Sequence, residues 1–392
     1  MNKLLFCFAF VLVMVNCQSK PVDKFTTQME RNQFIVNKTH FIDSVFKLQQ
    51  NIENEKVYQS AFWASELMLK KSPSGFEILK QGLSQFYIFS ANYKRSILQH
   101  AYTLYTDEFN SEFDSLIQRE HDEKLFAIMA SYLIRNDKDK QMPLLKLMYN
   151  RFPTWREHPL LIAFSIDNST KEIITKKQIA ELIAFRKKTK ESSFFVFVTK
   201  NRDVPGILMI QNASGEMLNE NGDTLKFRIL ARSITNLPEY ITNGNTPQGV
   251  YSVQGFSSSD NIFIGKSPTI ITALPFEVSV SEFIHEKKRN DWSLDEYNRL
   301  FPESWKSLTK KNMAYYAGKA GRSEIIIHGT TIDTEFYKSK RYYPFTPSLG
   351  CLCLLERWNF KDGSLIESEQ LRLVKALKSN NLRNGLMYVI EK

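Results

Sequence analysis

The chain has 392 residues, of which 43% are apolar, and a formal net charge of +10. That length exceeds what one ordinary core organises and predicts two domains. The positive balance reads either as a generally basic surface or as a match to an anionic partner, such as an acidic membrane face or a cell-wall polymer; with no zinc-finger spacing, P-loop or long Lys/Arg run, nucleic acid has no support as that partner.

Residues 1–17, MNKLLFCFAFVLVMVNC, place Lys3 ahead of an apolar run that ends at Cys17, before polar Gln18, Ser19 and Lys20. The run is short for a membrane span and reads as a signal peptide. Its close on Cys17 resembles a bacterial lipoprotein signal, in which that cysteine becomes the lipidated N-terminus, although Asn16 stands where a small residue is usual. The expectation is a lipid-anchored protein of the cell envelope, facing the periplasm.

Residues 18–190 read as an all-α domain. Residues 55–71 set Val57, Ala61, Ala64, Leu67 and Met68 along one stripe, and residues 74–87, 93–106, 107–118, 121–135 and 142–152 repeat the pattern. Breakers at Pro73, Gly75, Asn136 and Pro153 separate them. Consecutive helical hairpins of this spacing suit a solenoid-like stack or an irregular bundle, and offer a surface for a protein partner. His40, His100, His121 and His158 are scattered through the domain without metal-ligand spacing.

Near residue 190 the period changes. Residues 193–199, 206–211, 225–234 and 249–254 are β-branched and aromatic runs bounded by turn residues such as Gly215, Asn221 and Asn243, so residues 191–392 read as a β-rich domain. Residues 281–308 interrupt it with a polar helical segment, residues 364–378 form an amphipathic helix, and residues 385–390 a closing strand. The expected class is α+β in two domains.

The chemistry gathers in residues 325–353, IIIHGTTIDTEFYKSKRYYPFTPSLGCLC. A strand closes on His328-Gly329; a Gly-containing turn, Ser348-Leu349-Gly350, leads to Cys351 and a second apolar run. Beyond Cys7 and Cys17 in the leader, Cys351 and Cys353 are the remaining cysteines of the chain, so no disulfide framework staples it. An imidazole beside a thiol makes a thiolate, and backbone N–H groups hold an oxyanion; nucleophilic cysteine chemistry needs little more. Positions 351 and 353 share a strand face, so the two thiols are candidates for proximity.

Two segments of the β-rich domain resemble the L,D-transpeptidase (YkuD-type) family. Thr246-Pro247-Gln248-Gly249-Val250-Tyr251 is similar to its Thr-Pro-x-Gly motif, and Ile327-His328-Gly329-Thr330 followed by Ser348-Leu349-Gly350-Cys351 to its His-Gly-Thr and Ser-x-Gly-Cys signature. The resemblance implies an L,D-transpeptidase-like catalytic fold over residues 191–392. It implies Cys351 as nucleophile and His328 as base, with Gly329 orienting the imidazole. Ser348, Leu349 and Gly350 would form the turn and oxyanion hole. It further implies substrate contacts from Thr330 and Tyr251, and from Cys353 at the position that usually carries Arg or Asn. Lid cations such as Arg341 could stand in for that missing residue. The implied substrate is the peptidoglycan stem peptide, with an amine acceptor giving a 3→3 crosslink or water giving hydrolysis, and no cofactor or metal. A stem-binding pseudoenzyme is the third alternative.

Overall fold

The structure is a computed structural model that describes residues 27–259, 261, 264–287, 291–329 and 334–392. The leader, Cys17 and Thr330 lie outside the described residues.

Nine α-helices are described ahead of the first strand: α1 Gln28–Val45, α2 Glu55–Leu67, α3 Pro73–Ser84, α4 Ala91–Leu104, α5 Asn110–Ile117, α6 Glu123–Asn136, α7 Gln141–Arg151, α8 Pro159–Ser169 and α9 Lys176–Lys187. Their starts are written locally. Thr27 and Glu30 form a capping box, Ser72 caps α3 with Pro73 at its first position, and Asp122 accepts from two N–H groups of α6. Helix α2 packs on α4, α4 on α6 and α6 on α8, while α3, α5 and α7 each pack beside this row. That is a stack of helical hairpins. The middle of α6, from Leu125 to Ile134, is buried on every side, which suits a helix that is apolar all round.

The β-rich part contains β1 Ser193–Val198, β2 Gly206–Gln211, β3 Asn219–Glu220, β4 Asp223–Thr224, β5 Phe227–Leu230, β6 Gly249–Ser257, β7 Thr269–Ala273, β8 Ile327–Gly329, β9 Leu352–Leu354, β10 Glu356–Trp358, β11 Leu365–Ser368 and β12 Gly385–Glu391. Short helices α10 Val280–Phe283, α11 Leu294–Asn298 and α12 Met313–Lys319 fall between β7 and β8, and α13 Glu369–Ser379 precedes β12. Eight strands close a barrel in the order β1-β12-β6-β7-β8-β9-β5-β2. Pairs β1–β12 and β8–β9 are parallel; the other ladders of the barrel are antiparallel.

Strand β1 is buried along its whole length and β12 up to Ile390. A continuous apolar run is what a parallel strand covered on both faces requires. Phe194, Val196 and Val198 face the barrel core with Met387 and Val389. Phe195 and Phe197 face the other way, where Leu386, Tyr388 and Ile390 join the helical core. The two parts therefore share a core. Polar contacts add to it: the Trp305 indole donates to the Gln178 carbonyl, 3.0 Å, and the Glu172 carboxylate accepts from Thr309 and Lys310.

The strand expected over 225–234 is shorter than its apolar run. It ends at Leu230, because the chain turns at Ser233 to support the segment that carries Cys351.

Candidate active site

Strands β8 and β9 lie side by side and parallel, in the register Ile327↔Leu352, His328↔Cys353 and Gly329↔Leu354. Alternation then assigns the faces. Ile327, Leu352 and Leu354 enter the barrel core. His328 and Cys353 turn to the opposite face, and Cys351 precedes Cys353 by two residues.

His328 is buried, and its Nδ1 donates to the Gly329 carbonyl at 2.8 Å. That bond sets the ring's orientation and leaves Nε2 for the sulfurs. Nε2 lies 3.6 Å from Cys353 Sγ. The Cys351 thiol donates to the Glu324 carbonyl at 3.5 Å. Burial works against the imidazolium, yet the Cys353 and Cys351 sulfurs more than offset it, and His328 is held well above the ordinary imidazole value. For Cys351 the balance runs the other way. Burial disfavours the thiolate, but His328, the Ile326 backbone and the Ser348 hydroxyl outweigh it and lower the thiol. The arrangement favours an imidazolium beside a sulfur pair, of which Cys351 is half-buried and Cys353 fully buried.

The turn before Cys351 is held from several sides. Gly350 has φ +116°, in the left-handed region, and a side chain there would strike the Arg322 guanidinium and the Gly244 carbonyl. Thr246 Oγ1 donates to the Gly350 carbonyl at 2.8 Å, so the Thr-Pro-Gln-Gly segment buttresses the cysteine turn directly. The Ile234 N–H donates to the Ser348 carbonyl at 2.7 Å. Ser348 Oγ accepts from Gly350 N–H at 3.3 Å and donates to the Cys351 carbonyl at 3.2 Å. Among the described residues the N–H groups of Leu349 and Cys351 have no acceptor, which leaves them for an oxyanion.

Cys351 and His328 open on a cleft of about 390 Å³. Its lining includes Arg322, Glu324, Ser348 and Leu349, with Ile234, Thr242 and Asn243, and Trp63 and Leu67 of α2. The helical part is thus a wall of the site.

Several expected contacts fall elsewhere. Tyr251 is fully buried and spends its hydroxyl on the Pro247 carbonyl, 2.7 Å, so it shapes the barrel and has no surface for a substrate. Cys353 is buried with Leu67, Leu230, Ile234, Tyr337, Tyr342 and Phe345, and it meets the imidazole instead of a substrate. Arg341 is exposed and lies outside the cleft lining. The segment expected to present cations is anchored by aromatics: Tyr337 and Tyr342 point inward, and Tyr337 donates to the Leu67 carbonyl at 2.8 Å.

Three polar residues escaped sequence reading. Arg322, buried, reaches the Glu239 and Gly244 carbonyls and lies against Gly350; burial lowers its guanidinium to about 10. Glu356, also buried, presses its carboxylate against Gly329, where any side chain would collide with it. Ser267 and Ser368 donate to Glu356 Oε1, and among the described residues Oε2 has no partner. Asn243 anchors to the helical part through Gln99. An Arg isolated between Gly321 and a strand was the one local signal. Among the described residues no cluster of three or more His, Cys, Asp or Glu could hold a metal ion.

No family model matches the chain, and the comparisons with curated proteins and with solved structures found no match.

Proposed function

We propose that the protein is a cysteine acyltransferase of the L,D-transpeptidase kind, with Cys351 as nucleophile, His328 as acid and base, and peptidoglycan stem peptides as substrate. One observation carries the chemistry. An imidazole pinned through Nδ1 to the Gly329 carbonyl sets Nε2 3.6 Å from Cys353 Sγ, and Cys351, whose thiol His328 lowers, opens with it on a cleft beside unengaged backbone N–H groups. The substrate class rests on the two motif resemblances, on the leader, which points to the envelope, and on a basic chain suited to acidic stems.

In this reading the Cys351 thiolate attacks the carbonyl that joins the third stem residue to the terminal D-amino acid. The N–H groups near Leu349 and Cys351 stabilise the oxyanion, a contribution worth about 10²–10³ in rate per donor. The His328 imidazolium gives its proton to the leaving amine, and a thioester remains on Cys351. An incoming amine then attacks; His328 takes its proton and the thiolate leaves. Water as acceptor turns the same site into an L,D-carboxypeptidase.

The contact between His328 and Cys353 supports a second reading, in which the imidazole is engaged by the buried sulfur and the cleft binds stems without turnover. Intact-mass analysis after incubation with a carbapenem or a donor tetrapeptide separates the two. Acyl transfer gives a single adduct on Cys351, lost in Cys351→Ala and slowed in His328→Ala. No adduct on reduced protein sinks the enzymatic reading, and product analysis with and without an amine acceptor assigns crosslinking or hydrolysis.

A further inference from the structure

A polar relay runs from the helical core to the cleft wall. Glu66 of α2 is 2% exposed and Gln99 of α4 is 8% exposed. Gln99 Nε2 donates to Glu66 Oε2 at 2.7 Å, and Asn243 Nδ2 donates to Gln99 Oε1 at 3.1 Å. Glu66 Oε1 lies 3.4 Å from His100 Nδ1. Asn243 lines the same cleft as Cys351 and His328.

The chemistry of the first member orients the last. A carboxylate only accepts, so Glu66 draws the NH₂ end of Gln99. The oxygen end of Gln99 then faces Asn243 and demands a donor there. Asn243 must supply its NH₂, and its Oδ1 is left over. Among the described residues nothing donates to that oxygen. The backbone helps hold the pose: Asn243 has φ +63°, in the left-handed region that Asn tolerates, and its carbonyl accepts from Thr235 Oγ1 at 2.6 Å. The cleft is therefore offered a pre-oriented acceptor, and pre-orientation is what lets a polar contact contribute to selectivity.

We propose that Asn243 Oδ1 is a substrate-recognition acceptor for a backbone N–H of the peptide bound in the cleft, held in that sense by Glu66 and Gln99 of the helical part. The proposal rests on the reading of the cleft as a peptide-binding acyl-transfer site. Glu66 and Gln99 are positioning residues, and the helical part takes a share in substrate selection.

The test uses the full chain carrying Cys351→Ser, so that binding is read apart from acylation. Calorimetric titration with an N-acetylated stem tetrapeptide ending in D-alanine, and with its single N-methyl analogues, gives dissociation constants. One N-methyl analogue is expected to bind at least tenfold more weakly than the parent, and Asn243→Leu to remove that difference. Glu66→Gln lets Gln99 turn over and is expected to weaken the parent severalfold. Adding Gln99→Glu to Glu66→Gln places a carboxylate against the Asn243 NH₂ and is expected to restore affinity, a rescue that loss of packing would not show. Equal affinity in Asn243→Leu, indifference to every N-methyl group, no rescue, or no binding of the tetrapeptide overturns the proposal. Should the binding pattern hold while protein with intact Cys351 forms no thioester, the acyl-transfer reading fails and the role of Asn243 stands.

Discussion

His328 stands opposite Cys353 in the parallel β8–β9 ladder, with Nε2 3.6 Å from the buried sulfur, while half-buried Cys351 lies two residues earlier at the mouth of the cleft. One imidazole thus serves two thiols in different solvents. The outer one meets reagents; the inner one packs against the ring.

Thiol reactivity should divide accordingly. Iodoacetamide is expected to modify Cys351 rapidly in native protein and Cys353 only after denaturation. Peptide mapping after brief alkylation checks this; rapid modification of Cys353 would contradict its burial.

The pH dependence follows from the two shifts. The Cys351 thiol lies below its ordinary value, so its alkylation rate should plateau at a lower pH than that of a free thiol. Removing the cation with His328→Gln should move the midpoint upward. For stability, the lowered thiol contributes fully above the ordinary thiol value and loses that contribution as pH falls through the folded one. The raised imidazole contributes below the ordinary imidazole value and loses it as pH rises through the folded one. Both contributions coexist only where the folded pair is ionised, so a midpoint unchanged in His328→Gln would break the pairing.

Glu356 predicts a separate pH effect. Burial, partly offset by the Ser267 and Ser368 hydroxyls and by His328, raises its carboxyl from 4.5 to about 6. The folded state then binds the proton more tightly, so stability falls as pH rises between those values. A shift of this size is worth about 2 kcal/mol. Urea unfolding at pH 5 and pH 7 should show a little over half of that loss, about 1.2 kcal/mol, in the native protein and a flatter profile in Glu356→Gln.

Gly350→Ala places a methyl group against Arg322 and Gly244 at a left-handed φ. Strain of this kind costs about 1–3 kcal/mol before the clash is counted. The variant should unfold at lower denaturant and alkylate at Cys351 more slowly. Unchanged stability would mean that the turn has another conformation.

Tyr337→Phe removes the bond to the Leu67 carbonyl while keeping the ring. The expected cost is about 1 kcal/mol, with faster proteolysis in the lid segment, because the hydroxyl ties that segment to α2. Limited proteolysis read by mass spectrometry distinguishes this from a global effect.

Much of the architecture was legible locally. The stripes of residues 55–71 and 121–135 became α2 and α6, and the run at 206–211 became β2 with the same bounds. Periodicity and caps act within a few residues, so they survive without tertiary information. The long apolar run at 225–234 misled, because hydrophobicity alone does not say where a strand stops pairing. Tyr251 misled for a related reason: a motif position says which strand face a side chain takes, but not whether that face meets solvent.

By itself the sequence determined the order helices-then-strands, the placement of His328 and Cys351 at strand ends, and the glycine turn at 350. These follow from chain-local stereochemistry and from the scarcity of cysteine. The tertiary structure alone decided that His328 faces Cys353, that Arg322 and Glu356 press on Gly350 and Gly329, that Trp63 and Leu67 complete the cleft, and that the Glu66–Gln99 pair holds Asn243 at its wall. Those contacts join residues far apart along the chain, and only barrel closure and the docking of the helical stack bring them together.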